Sequence, residues 1–262
     1  VILAGVALVA AVAAYGWSGL RLAAGSRTGG SPLRSRSWWL GTALQGAGFG
    51  FALLARTVLP LLMVQAAIAG ALAVTVLLEH GTGVRRLDAR TAWAVAAVVV
   101  GIGGIASAVL PGSAQAPGAG VVAALWLVAA GAAAATPVLR QAWPLGALAG
   151  CAFGVGAVAA RLLVGTGVGL GEVVRFWAWP AATWAVALLI PVGIVLGQWA
   201  LTRGLARGSS AAVLGGDYLL AVVLPSAAGV LFLGERLRPE TAPLAVLGLL
   251  AAGWGTRRLL NA

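Results

Sequence analysis

The chain has 262 residues, of which 61% are hydrophobic and a further 39 are glycine, whereas soluble domains reach roughly 45–50% apolar with glycine counted in. Only 9% are charged, the net charge is +11 and the mean hydropathy is +1.01, so lipid rather than water is the expected solvent. All 17 basic residues are arginine, and His80 and Cys151 are single, which excludes a Walker A lysine, an HExxH helix, a CxxC pair, a multi-histidine or multi-cysteine metal site and an intrachain disulfide.

Apolar runs of about 20 residues are long enough to cross a bilayer core of ~30 Å as helices. Nine such runs follow one another: Val1 to Leu22, Trp38 to Ala55, Val58 to Leu78, Thr91 to Leu110, Gly118 to Leu139, Trp143 to Val164, Phe176 to Leu201, Ser209 to Leu233 and Pro243 to Leu260. The first lacks a basic leader and is too long for a signal peptide, so it reads as a true span. The chain begins at Val1 rather than methionine, which leaves room for further residues or another helix upstream. Pro180 and Pro191 predict a tilt or kink in the seventh run. The expected fold is an all-α polytopic membrane protein.

Arginine sets the orientation. Counting on alternating sides, Arg21, Arg27, Arg34, Arg36, Arg85, Arg86, Arg90, Arg140, Arg203, Arg207, Arg257 and Arg258 share one side, and Arg56, Arg161, Arg175, Arg236 and Arg238 the other. This bias places the C-terminus in the cytoplasm of a protein integral to the cytoplasmic membrane. It also accounts for the basic charge without nucleic acid. Trp38, Trp39, Trp93, Trp143, Trp177 and Trp179 fall at helix starts, as an interfacial aromatic belt predicts.

The two halves repeat a unit. Leu54-Ala-Arg-Thr leads into a span ending Leu77-Leu-Glu-His, then Arg85-Arg-Leu and another span. Leu205-Ala-Arg-Gly leads into a span ending Phe232-Leu-Gly-Glu, then Arg236-Leu-Arg and another span. The separation spans an odd number of helices, so the units are expected to have opposite orientations: a first repeat of four helices over 1–110 and a second of five over 118–260. Inverted repeats of this kind build secondary transporters with a site near the midplane.

Gly229-Val-Leu-Phe-Leu-Gly-Glu-Arg-Leu, preceded by Ala200-Leu-Thr-Arg-Gly-Leu-Ala-Arg-Gly-Ser-Ser-Ala-Ala and followed by a span with Gly248 and Gly253, resembles the C-terminal repeat of the drug/metabolite transporter (DMT) superfamily, EamA type. In the first half, Trp38-Trp-Leu-Gly and Leu59-Pro-Leu-Leu-Met-Val-Gln are similar to the NIPA-like magnesium-transporter branch. The resemblance implies transport of a small solute and leaves its identity open.

Within the spans, Asp217 lies deep in the eighth run, where a carboxylate costs about 2.5–3.5 kcal/mol and is expected to face a cavity or a partner. It reads as a proton-coupling group or a ligand for a cation, or else as a polar residue satisfied by backbone where Gly215-Gly216 loosens the helix. Gln65 holds nearly the corresponding place in the first repeat, and Gln198 and Tyr218 supply further polar atoms; a glutamine in a span also simply bonds a neighbouring helix. Arg161, inside the sixth run, either snorkels to the interface or pairs with Asp217 or an anionic substrate group, for which Arg56 is the other candidate. The GxxxG faces Gly146, Gly150, Gly154 and Gly46, Gly50 predict close helix packing. His80 reads as a loop histidine, Cys151 as a packing residue and Glu235 as structural. Of the six acidic residues, the five other than Asp217 are expected in or beside loops.

The sequence therefore predicts a secondary transporter, not an enzyme, that exports or exchanges a small metabolite or drug-like solute, with protons as the candidate coupling ion. Its partners are a small-molecule or ionic substrate and membrane lipid, with no cofactor, resident metal or nucleic acid. The alternatives are a NIPA-like divalent-cation transporter, a lipid-linked-sugar or polyprenyl-phosphate flippase, and a membrane scaffold.

Overall fold

Runs built from Ala, Leu, Val and Gly with polar residues confined to their ends satisfy their backbone internally, and in this chain they do so as helices. The computed structural model describes residues 2–28, 31–56, 64, 67–84, 86, 88–110, 118–166, 176–232 and 236–260. In chain order these form α1 (Ile2–Ser26), α2 (Arg36–Arg56), α3 (Ala71–Gly81), α4 (Ala89–Ala108), α5 (Ala119–Val138), α6 (Ala142–Gly165), α7 (Ala181–Ala187), α8 (Leu189–Leu205), α9 (Ser210–Phe232) and α10 (Ala242–Leu260). Short 3-10 turns occupy Pro32–Arg34 and Phe176–Ala178. One small antiparallel pairing, Val109–Leu110 with Arg236–Leu237, joins the end of α4 to the approach of α10.

Five of these rods are long and apolar enough to cross a membrane: Ile2–Ser26, Ala119–Val138, Ala142–Leu163, Ala181–Leu205 and Ser210–Phe232. α2 and α10 are of similar length but less apolar, α2 because of Thr42, Gln45 and its terminal arginines, α10 because of Arg257 and Arg258. Large apolar side chains stand exposed around the bundle, among them Leu127, Val195, Leu231 and Leu250, which suits a lipid surround.

The rod Ala181–Leu205 is interrupted at Leu188. Proline explains the position. Pro191 has no N–H to offer the carbonyl of Ala187, and its ring crowds that carbonyl, so the helix restarts at Leu189. Pro180 caps the N-terminus of α7 and kinks nothing.

Glycine sets how the rods meet. Gly146 and Gly150 on α6 lie against the carbonyls of Val213 and Asp217 on α9, and Gly154 faces Leu224 and Pro225, so α6 and α9 run parallel. Gly193 and Gly197 of α8 meet Gly156 and Phe153, which makes α8 antiparallel to α6. The first half has the same arrangement. Gly25, Gly41 and Gly48 bring α2 antiparallel to α1, at Trp38, Leu22 and Tyr15, and Gly16 and Gly19 bring α3 parallel to α1, at Val74 and Thr75. α4 and α10 cross antiparallel where Gly101 meets Gly248. By contrast Gly46 and Gly50 have nothing within 4 Å of a built Cβ, so the GxxxG face expected on α2 packs against no described part of the chain. The reason is rotational: the inward stripe of α2 is Gly41, Thr42, Gln45 and Gly48.

Candidate functional site

Asp217 is the eighth residue of α9, about 10 Å from its start at 1.5 Å per residue. That puts it about 6 Å short of the middle of the helix, nearer the Ser210 end. The helix is held on several sides there: Gly150 of α6 touches the Asp217 carbonyl, Gly216 packs on Ala147 and Trp143, and Gly215 lies near Leu259 of α10 and Leu72 of α3. Such contacts fix the backbone and bury the side chain, which is only 5% exposed. Its Oδ1 has no hydrogen-bond partner among the described residues. Buried polar atoms are almost always paired, and an unpaired carboxylate oxygen is the most costly kind.

Around that level of the bundle sits a polar belt. Tyr218 follows Asp217, and Tyr15 of α1 and Cys151 of α6 belong to the same electrostatic neighbourhood. On α8, Gln198 donates its amide to Thr42 Oγ1 of α2 at 3.3 Å. Gly197, one residue earlier, packs on the ring of Phe153, and Gly150 touches the Asp217 carbonyl, so Gln198 and Asp217 stand at levels within about one turn of each other along α6. On the inward stripe of α2, Gln45 has a buried Oε1 with no partner, and Tyr15 covers Gly48 one turn further on.

Of the residues expected to form the site, Asp217, Tyr218 and Gln198 thus lie at one level, contributed by two helices. Arg161 does not join them: on α6 it is eleven residues beyond Gly150, about 16 Å along the axis, out of reach of Asp217. It is half-buried and has interactions of its own. Gln65, Glu235 and the side chain of Arg56 lie outside the described residues.

Glu79, beside the loop that follows α3, is a second buried carboxylate. It occupies the last turn of α3, is 2% exposed, and accepts a hydrogen bond from Ser210 Oγ at the start of α9. This bond joins the first half of the chain to the second. Others gather at the same end: Arg27 donates to the carbonyls of Leu205 and Gly208, and Trp38 donates its indole N–H to Thr202 Oγ1 at 3.0 Å. Trp38 is therefore a buried inter-helix donor rather than part of an interfacial belt, unlike Trp93, which is 73% exposed. His80 also lies within the last turn of α3, not in a loop. Glu79 was visible in the sequence only as one letter of Leu77-Leu-Glu-His, since nothing in a single chain says which face of a helix end is covered. Tyr15, Thr42 and Gln45 gave no stronger signal.

No family model, curated protein or solved structure matches this chain. Its function is to be argued from the site itself. Among the described residues no three of His, Cys, Asp and Glu come together as a metal-binding set would. What the belt offers chemically is one deep carboxylate with an unsatisfied oxygen, flanked by phenol, amide and hydroxyl groups that donate and accept hydrogen bonds without charge.

Proposed function

We propose that the chain is a multi-pass secondary transporter of the cytoplasmic membrane, with nine spans in two inverted repeats of four and five helices and a cytoplasmic C-terminus, akin to the drug/metabolite transporter superfamily. Asp217 carries this reading. A scaffold has no need of a buried carboxylate whose oxygen lacks a donor, whereas a transporter uses such a group to take up a proton or a cationic solute and to release it again.

The helix directions support the repeats. α1 with α2 and α3 matches α6 with α8 and α9 in being antiparallel then parallel, and the helices that would correspond across the repeats, α3 with α9 and α4 with α10, run antiparallel to each other. A two-fold axis in the membrane plane requires that sense. Asp217, Tyr218 and Gln198 form the substrate and coupling wall, with Gln65 its first-repeat counterpart. Glu79 with Ser210, Trp38 with Thr202 and Arg27 with the end of α8 close the arginine-rich end. The solute is a small metabolite or drug-like molecule that is exported or exchanged, with the proton as coupling ion.

The test begins with a screen of cationic, zwitterionic and anionic solutes for a rise in Tm of the purified protein. Each hit is followed into proteoliposomes under an imposed pH gradient. Asp217→Asn should fold, and its gradient-driven flux should fall at least tenfold, because an amide neither releases a proton nor offers a charge to a cation. A variant that binds and transports with unchanged pH dependence makes Asp217 a structural residue and removes the basis of the proposal.

A further inference from the structure

Away from Asp217, a hollow of about 410 Å³ opens at the end of the bundle where α5 turns into α6 and α8 into α9. Its wall includes Arg140, Trp143, Arg207 and Ser209. Its charged side chains are the two arginines and none of its lining residues is acidic; Gln141 adds a neutral amide. Arg140 and Arg207 are exposed, and no ion pair joins either to a carboxylate among the described residues. The first turns of α6 and α9 open into the hollow through Ala142, Trp143 and Ala212, and each helix start carries a partial positive charge from its unpaired N–H groups. Ser209 cannot offset this, because its Oγ accepts from the Ala212 N–H at 3.3 Å. Glu79 is not among the lining residues and is buried against Ser210, the neighbour of Ser209.

Two guanidinium groups and two helix starts around one hollow repel each other unless an anion lies between them. Its place in the fold selects the kind of anion. The hollow is at helix ends, at headgroup depth for a chain in a bilayer, and on the side that carries twelve of the arginines. Guanidinium and helix N–H groups together suit the tetrahedral oxygens of a phosphate.

We infer that this hollow, between Arg140 and Arg207, is a binding site for a phosphate group, supplied either by the headgroup of an anionic phospholipid or by a phosphorylated solute. It is separate from the belt around Asp217 and does not depend on the transport reading. Occupation neutralises the arginines and pins the α5–α6 and α8–α9 turns to each other, so bound phosphate stabilises the second half of the bundle.

Thermal unfolding of the full chain in neutral detergent reads this out, with phosphatidylglycerol, phosphatidylcholine and inorganic phosphate added in separate arms. At saturation, phosphatidylglycerol is expected to raise Tm by about 5 °C. The double variant Arg140→Gln/Arg207→Gln, both exposed positions, should fold and lose that rise, while Arg34→Gln, an exposed arginine elsewhere, should keep it. A rise with inorganic phosphate that vanishes in the double variant assigns the site to phosphorylated solutes as well; a rise with the lipid alone assigns it to the headgroup. No rise in either arm overturns the inference. So does a rise of the same size in phosphatidylcholine that survives the double variant, because that is general solvation by lipid.

Discussion

The helices within α6–α9 and within α1–α3 run parallel, and the two pairs differ in how closely their helices touch. In α6–α9 a Cβ at Gly146 or Gly150 would run into backbone, the carbonyls of Val213 and Asp217, and Gly193 likewise meets the Ala152 carbonyl. In α1–α3 the glycines mostly meet side chains: Gly16 the methyls of Val74, Gly19 the hydroxyl of Thr75 and a methyl of Leu214 on α9. Backbone cannot give way, whereas a side chain can change rotamer. The α6–α9 pair is therefore a stiff unit that fixes Asp217 in place, and the α1–α3 pair is cushioned by side chains, while α4 and α10 join the two halves backbone to backbone at Gly101 and Gly248.

The sharpest way to break this comparison is to fill the glycines. Gly150→Leu should cost about 3 kcal/mol or more, or prevent folding, because it overpacks against main chain. Gly19→Leu displaces Thr75 and Leu214 instead and should cost about 1–2 kcal/mol. Denaturant unfolding of both in the same detergent checks the ranking; equal losses would remove the distinction between a stiff and a cushioned pair.

Next in size are the two carboxylates, one in each half. Asp217 has an oxygen without a partner and Glu79 has its donor in Ser210, so the two should respond oppositely to removal of charge or partner. Asp217→Asn deletes a costly buried charge and should raise stability, by as much as about 2 kcal/mol. Ser210→Ala strands the Glu79 carboxylate and should lower it by about 1–3 kcal/mol, whereas Ser210→Thr keeps a hydroxyl and should lower it less. A Ser210→Ala protein as stable as the parent would show that the α3–α9 bond contributes nothing to closing that end.

The sequence was informative wherever a single residue type carries the physics. Length and apolarity marked the rods, Pro191 marked the break at Leu188 within three residues, and Gly146, Gly150 and Gly154 marked a packing face by their spacing of four. It was silent where the answer depends on which side of a helix meets which neighbour. Glu79 and Trp38 stand at helix ends, where apolarity no longer distinguishes buried from exposed, and each is buried only because a hydroxyl on the other half, Ser210 or Thr202, lies opposite. Arg161 sits on the same helix as the Asp217 contact, yet the axial rise carries it out of range. Pairings between halves need the angle at which the helices meet, and one sequence does not contain that angle.

The smallest effect is expected on α2, where two pairs of glycines stand on one helix with opposite surroundings. Gly41 and Gly48 carry the contacts to Leu22 and Tyr15, where a methyl group would come within 2.7 and 2.9 Å, and Gly46 and Gly50 face no described residue. A rule that reads Gly-x-x-x-Gly as a packing face selects the second pair, and the structure selects the first. Gly46→Leu and Gly50→Leu should therefore change stability by no more than about 0.5 kcal/mol, as for a surface position. Gly48→Leu on the same helix must push the Tyr15 ring aside and should cost about 1–3 kcal/mol. Denaturant unfolding, together with the mass of the detergent-solubilised protein, reads both the stability and the oligomeric state. If Gly46→Leu instead lowers stability and also lowers the measured mass, the open face of α2 is covered by a second copy of the chain, and the spacing rule was right about packing but wrong about the partner.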